Sequence, residues 1–212
     1  MEATKQQTQT HFVLVHGACH GAWCWYKLKP LLESHGHKVT ALDLSASGIN
    51  MKKIEELRTL YDYMEPLMEV MESLPQGEKV VLVGHNVGGL NLDLAIDKFS
   101  QKISVAVFLT AFMPNIVHKP SFVIEQDFTL ATILVRTGLL FLEDLAQANN
   151  FSNKGYGSVT QVYVVCNNDH ATPKEFQRWT IENNEGMKEV KEIKGVDHMP
   201  MFSKPRELCY VS

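Results

Sequence analysis

Short apolar runs alternate with longer amphipathic stretches along most of this chain. HFVLVHG (His11–Gly17) is almost continuously apolar and ends in glycine, the pattern of a strand buried on both faces of a parallel sheet. KVTALDL (Lys38–Leu44), KVVLVGH (Lys79–His85), ISVAVFLTAF (Ile103–Phe112), VTQVYVVCN (Val159–Asn167) and EVKEIKG (Glu189–Gly195) read as further strands. Helical patterns lie between them. WCWYKLKPLLESHG (Trp23–Gly36) reads as a helix closed by its glycine. IEELRTLYDYMEPLMEVMESL (Ile54–Leu74) places Leu57, Leu60, Met64, Leu67, Met68 and Met71 on one face. VGGLNLDLAIDKF (Val87–Phe99) continues directly from the strand before it. The alternation predicts an α/β fold: a mostly parallel sheet with helices on both faces, formed by residues 1–212 as a single domain. Between Pro120 and Asn150 the rhythm changes to a helical insert, FTLATILVRTGLLFLEDLAQ, more apolar than a surface helix should be. It reads as a helical insert over residues 120–150.

Composition narrows the function classes. The chain has 212 residues, enough for one α/β domain with a substantial core. A net charge of -4 argues against a nucleic-acid groove or an anionic membrane surface as partner. No apolar run approaches the roughly 20 residues needed to span a bilayer. The polar start, MEATKQQTQT, lacks the apolar core of a secretory signal. Cys19, Cys24, Cys166 and Cys209 fall at no regular spacing, which suits reduced thiols in a cytoplasmic protein. His16 and His20 have a spacing that suits a metal but no third ligand in sight, so no metal site is expected.

The chemistry collects at strand ends. In an open parallel sheet, ligands bind beyond the carboxyl ends of the strands. His16, Gly17 and Ala18 follow the first strand, and Gly84-His85-Asn86-Val87-Gly88 ends the third. Strand, sharp glycine-flanked turn and helix make up the nucleophile elbow G-x-S-x-G, but the tip here is Asn86. Asp169 follows the fifth predicted strand and His198 the last. The order elbow, acid, histidine is that of the hydrolase triad on this fold. In that arrangement His198 would shuttle a proton, and Asp169 would fix its tautomer. The N–H groups of Val87 and Ala18 would form an oxyanion hole. Gly17, His85, Trp23 and Phe112 are candidates to contact substrate, although packing accounts equally well for His85, Trp23 and Phe112. Cys19, Ser45 and Ser47 are the available replacement nucleophiles; loop and packing roles explain them more simply.

HFVLVHGACHGAWCWYKLKPLLE, GHKVTALDLSASGI, LVGHNVGGLNL, AVFLTAFMP, KEFQRW and KGVDHMPM together resemble the plant methylesterase family, which includes salicylic acid-binding methylesterases. Its relatives include hydroxynitrile lyases and a methylketone synthase. The resemblance covers nearly the whole chain. It implies an α/β-hydrolase fold, with Asp169 and His198 as acid and histidine and Ala18 and Val87 at the oxyanion hole. It further implies a small aromatic or carbonyl ligand, held under a helical cap without metal or cofactor. Three departures stand out. Asn86 replaces the serine, the cap after SFVIEQ is expected to be shorter by several tens of residues, and the sequence stops at RELCYVS where relatives are expected to continue into a last helix that covers the sheet. Loss of that cover would favour a homodimer. The expected function is therefore a methylesterase-like pseudoenzyme whose pocket binds a small aromatic acid, methyl ester or keto acid, with ester hydrolysis weak or absent. The alternative is a serine-independent lyase or decarboxylase that acts on a β-keto acid through His198 and the oxyanion hole.

Overall fold

Six of the apolar runs pair side by side in the computed structural model, which describes residues 9–126, 141–152, 154–184 and 186–211. They are β1 (His11–Val15), β2 (Lys38–Leu42), β3 (Val80–His85), β4 (Ile103–Leu109), β5 (Thr160–Cys166) and β6 (Met187–Ile193). All five pairings are parallel, in the order β2-β1-β3-β4-β5-β6. The chain moves from β1 outward to β2, then returns to place β3 on the other side of β1. The β1/β3 boundary is therefore the switch point at which open α/β sheets open a crevice. Every residue of β1 is buried: Phe12–Val15 as an unbroken apolar run requires, and His11 with its ring nitrogens paired to Glu78 and Thr40. β6 lies at the edge and exposes most of its charged residues, and it begins two residues before the predicted Glu189.

Helices α1 (Leu28–Ser34), α2 (Leu60–Ser73) and α3 (Gly88–Phe99) cover the first half of the sheet. Two of them start later than the apolar pattern suggests. Ala22–Trp25 forms a separate 3-10 turn, and α1 begins at Leu28. Pro30 then falls in the first turn, where a missing N–H is harmless; a helix from Trp23 would carry that proline in its interior. α2 begins after Thr59, whose side chain accepts the Asp62 N–H at 3.0 Å while Asp62 Oδ2 accepts the Thr59 N–H at 3.1 Å. This reciprocal cap satisfies free donors that a helix from Ile54 would leave open. α4 (Phe122–Gln126) and α5 (Leu142–Gln147) are the described parts of the predicted cap; its central residues 127–140 lie outside the described residues. α6 (Lys174–Glu182), α7 (Pro200–Ser203) and α8 (Pro205–Val211) complete the order.

The core forms two layers and a third patch. Met64, Leu67, Met68 and Met71 of α2 join Leu92, Ala95 and Ile96 of α3 on one face of the sheet. Leu28 and Leu32 of α1 pack with Met201 and Leu208 on the other. Each of these side chains is nearly inaccessible, and burying one of the Leu, Ile or Met side chains stabilises the fold by about 1.5–3 kcal/mol. The third patch joins Leu57, Leu60, Val87, Leu90, Phe112, Val123, Ile124, Phe141 and Leu145 at the carboxyl end of the sheet. It includes Val87, the residue directly after the elbow tip, so it forms an apolar wall beside the candidate site.

Candidate active site

β3 ends in Gly84 and His85, and Asn86 turns the chain into α3 with φ +54. Asparagine tolerates this left-handed backbone better than most side chains, so the turn keeps its form without serine or glycine. Backbone contacts hold it from both sides. The Asn86 N–H donates to the Leu109 carbonyl at 3.4 Å, and the Asn86 carbonyl accepts from Gly89 at 3.1 Å and from Phe112 at 3.0 Å. The chain contains no cis peptide among its described residues, so each N–H points opposite the carbonyl of its own peptide unit. Anchoring the Asn86 carbonyl therefore aims the Val87 N–H the other way, out of the turn.

The same device operates after β1. The Leu44 N–H donates to His16 Nε2 at 3.2 Å, so the proton of a neutral His16 sits on Nδ1 and is donated to the Gly17 carbonyl at 2.8 Å. Burial lowers the pKa of His16 below its usual value, in keeping with that neutral form. With the Gly17 carbonyl held, the Ala18 N–H faces away from His16. Neither the Ala18 nor the Val87 N–H donates to a backbone carbonyl among the described residues. Gly17 itself lies against the elbow: a Cβ there would stand 2.9 Å from the Asn86 Cβ. Only glycine lets the two loops come this close.

Asp169 and His198 meet beside His85, the residue before the tip, whose ring stands 4.7 Å from that of His198. His198 Nδ1 donates to Asp169 Oδ2 at 2.7 Å, which leaves Nε2 as the basic nitrogen of the neutral ring. Oδ1 accepts the N–H groups of Ala171 and Thr172, both at 2.8 Å, and Thr110 Oγ1 donates to Oδ2 at 2.5 Å. Burial pushes the Asp169 pKa up, but the His198 hydrogen bond and charge, with the remaining donors, hold it below the usual carboxylate value. His85 Nε2 donates to the His198 carbonyl at 2.8 Å and anchors the backbone of that loop. Burial, then the nearby His198, drive the pKa of His85 well below normal, so it works as a neutral strut.

The remaining predicted residues separate. Phe112 is fully buried in the apolar wall and its ring stands 5.6 Å from that of Phe176. Trp23 lies outside that wall: it is 55% exposed and stacks on His20 and Phe202. Among the described residues no group of three His, Cys, Asp or Glu side chains is disposed to hold a metal. Thr110 has no counterpart in the sequence reading, because a threonine at the end of an apolar strand carries no local signal of a tertiary hydrogen bond.

The alpha/beta hydrolase fold model matches residues 10–127. Salicylic acid-binding protein 2 of Nicotiana tabacum is 51% identical, with 94% of each chain covered. The chain belongs to the plant methylesterase family of α/β-hydrolases. Polyneuridine aldehyde esterase of Rauvolfia serpentina is 46% identical over 98% of this chain and 96% of its own length. Its crystal structure superposes with a TM-score of 0.89, covering 96% of this chain and 98% of that one. A variant of tomato methylketone synthase I complexed with beta-ketoheptanoate is 39% identical with a TM-score of 0.87, covering 98% and 96%. The tobacco alignment runs over 245 residues, more than the 212 of this chain, so the relative has internal residues without a counterpart here.

Proposed function

We propose that this family member binds a small aromatic or carbonyl-bearing acid at the elbow and hydrolyses esters weakly or not at all. One observation carries the reading: the elbow keeps its left-handed turn and both backbone anchors while its tip is an amide. An amide cannot form an acyl-enzyme. A carbonyl or carboxylate oxygen of the ligand would accept the Ala18 and Val87 N–H groups, close to the first turn of α3. The name of the tobacco relative, a salicylic acid-binding protein, supports a ligand of this kind. In serine hydrolases, loss of a triad member leaves roughly 10³–10⁴ of acceleration over water, which sets the level expected here.

The test is hydrolysis of methyl salicylate and a chromogenic ester by the protein and by Asn86→Ser. Activity confined to Asn86→Ser is the expected outcome. Equal, rapid turnover by the unmodified protein would require another nucleophile and overturn the reading. Salicylate titrated calorimetrically should release or absorb heat with the unmodified protein.

A second reading draws on the Asp169–His198 pair, which a pure binding pocket does not need. In a β-keto acid the bond between carboxylate and α-carbon would break and CO2 would leave. Its electron pair would move onto the ketone oxygen, where the Ala18 and Val87 N–H groups would stabilise the enolate, and protonated His198 would return a proton to carbon. The complex of methylketone synthase I with beta-ketoheptanoate lends this support. Methylketone formation that disappears in His198→Ala would favour it, and turnover no faster than in buffer would remove it.

A further inference from the structure

Thr110 follows the last residue of β4, is fully buried and has φ +40. For a β-branched residue this backbone is an outlier, and such strain persists only where the surroundings over-determine it. Glycine or asparagine would occupy the turn at less strain, so what threonine adds is its hydroxyl. That hydroxyl donates to Asp169 Oδ2 at 2.5 Å, the oxygen that also accepts His198 Nδ1–H at 2.7 Å. Oδ1 is held by two backbone N–H groups. Each carboxylate oxygen thus accepts two hydrogen bonds, and the carboxylate has no second orientation of equal energy.

The backbone around Thr110 is tied just as firmly. Its N–H donates to the Val164 carbonyl at 3.0 Å. Its neighbours reach the elbow: the Leu109 carbonyl accepts from Asn86 at 3.4 Å, and the Phe112 N–H donates to the Asn86 carbonyl at 3.0 Å. Residues 109–112 therefore grip the elbow through the backbone and the acid through one hydroxyl. We propose that Thr110 is a positioning residue that sets the orientation of His198 relative to Asn86 by fixing Asp169 Oδ2. This rests on the reading of Asp169 and His198 as the proton-transfer pair.

Proton NMR on the full chain with labelled histidine tests the idea without requiring turnover. In the unmodified protein the His198 Nδ1–H should appear far downfield, with a nuclear Overhauser contact to a slowly exchanging Thr110 hydroxyl proton. Thr110→Ser should keep the downfield signal. Thr110→Val should move it upfield or broaden it by exchange, and so should Thr110→Gly, which also relieves the backbone strain. In an Asn86→Ser background, Thr110→Val should lower kcat on the chromogenic ester by about tenfold, the loss of one charge-assisted hydrogen bond, with KM nearly unchanged. Thr110→Ser should restore it. No contact in the unmodified protein, or an unaltered Nδ1–H signal in Thr110→Val, would overturn the proposal. If Asn86→Ser hydrolyses no ester, the esterase reading of the pocket fails, while the resonance still decides the role of Thr110.

Discussion

Gly89→Ala tests how tightly the elbow is braced against β4. A Cβ on Gly89 would stand 1.9 Å from the Phe112 carbonyl oxygen and 3.0 Å from its carbon. Carbon and carbonyl oxygen in ordinary contact stay about 3.3 Å apart, so α3 and residues 109–112 must separate by more than 1 Å. Both partners are backbone, so no side chain can swing aside. A shift of that size breaks the 3.0 Å bond from the Phe112 N–H to the Asn86 carbonyl. Leaving these buried groups unpaired costs about 1–3 kcal/mol, and the overpacking costs about 1–3 kcal/mol more. The helix preference of alanine over glycine returns only about 1 kcal/mol, so the net destabilisation is about 1–5 kcal/mol. Against a total of about 5–15 kcal/mol for a domain, urea unfolding will resolve this as a large fall in midpoint. Gly77→Ala is the control: φ is +85 there and nothing lies within 4 Å, so only backbone strain of about 1 kcal/mol applies. Equal midpoints for the two variants would refute the brace.

Two further outcomes follow from the buried titratable groups. The pKa values of His85 and His16 are lowered from 6.5 in the folded chain, so the unfolded chain binds more protons as the pH falls below about 6.5. Stability is therefore full above that pH and declines on acidification; Asp169, lowered from 3.8, adds a further loss in stronger acid. Urea midpoints measured between about pH 7.5 and 5 should fall, and His85→Asn should flatten the slope; a flat profile in the unmodified protein contradicts the assignment. A thiol reagent should label exposed Cys19 first and Cys209 more slowly. Cys24, pushed up to about 12 by burial, and buried Cys166 should react only in denaturant, as intact mass will report. Uniform labelling of all four in the native state would show that the core opens freely.

Local order was legible wherever neighbours in sequence decide it. The run of β1 must be buried on both faces because Phe12–Val15 has no polar position, and Met64, Leu67, Met68 and Met71 share a face because the helical period puts them there. The elbow could be read because its glycines and its tip act within five residues. Trp23 shows the limit: an indole beside an apolar run has the same local signature whether it lines a pocket or stacks on Phe202 at the surface. Only the tertiary structure joins Thr110 to Asp169, His85 to the His198 carbonyl and His16 to Leu44, pairs 59, 113 and 28 residues apart. Hydrophobic periodicity records which side of an element faces inward, whereas a hydrogen bond between strand ends depends on strand order and register. From sequence come the fold, the elbow and the asparagine at its tip; from tertiary structure come the aim of the Ala18 and Val87 N–H groups and the strained threonine behind the acid, because both arise where distant strand ends converge.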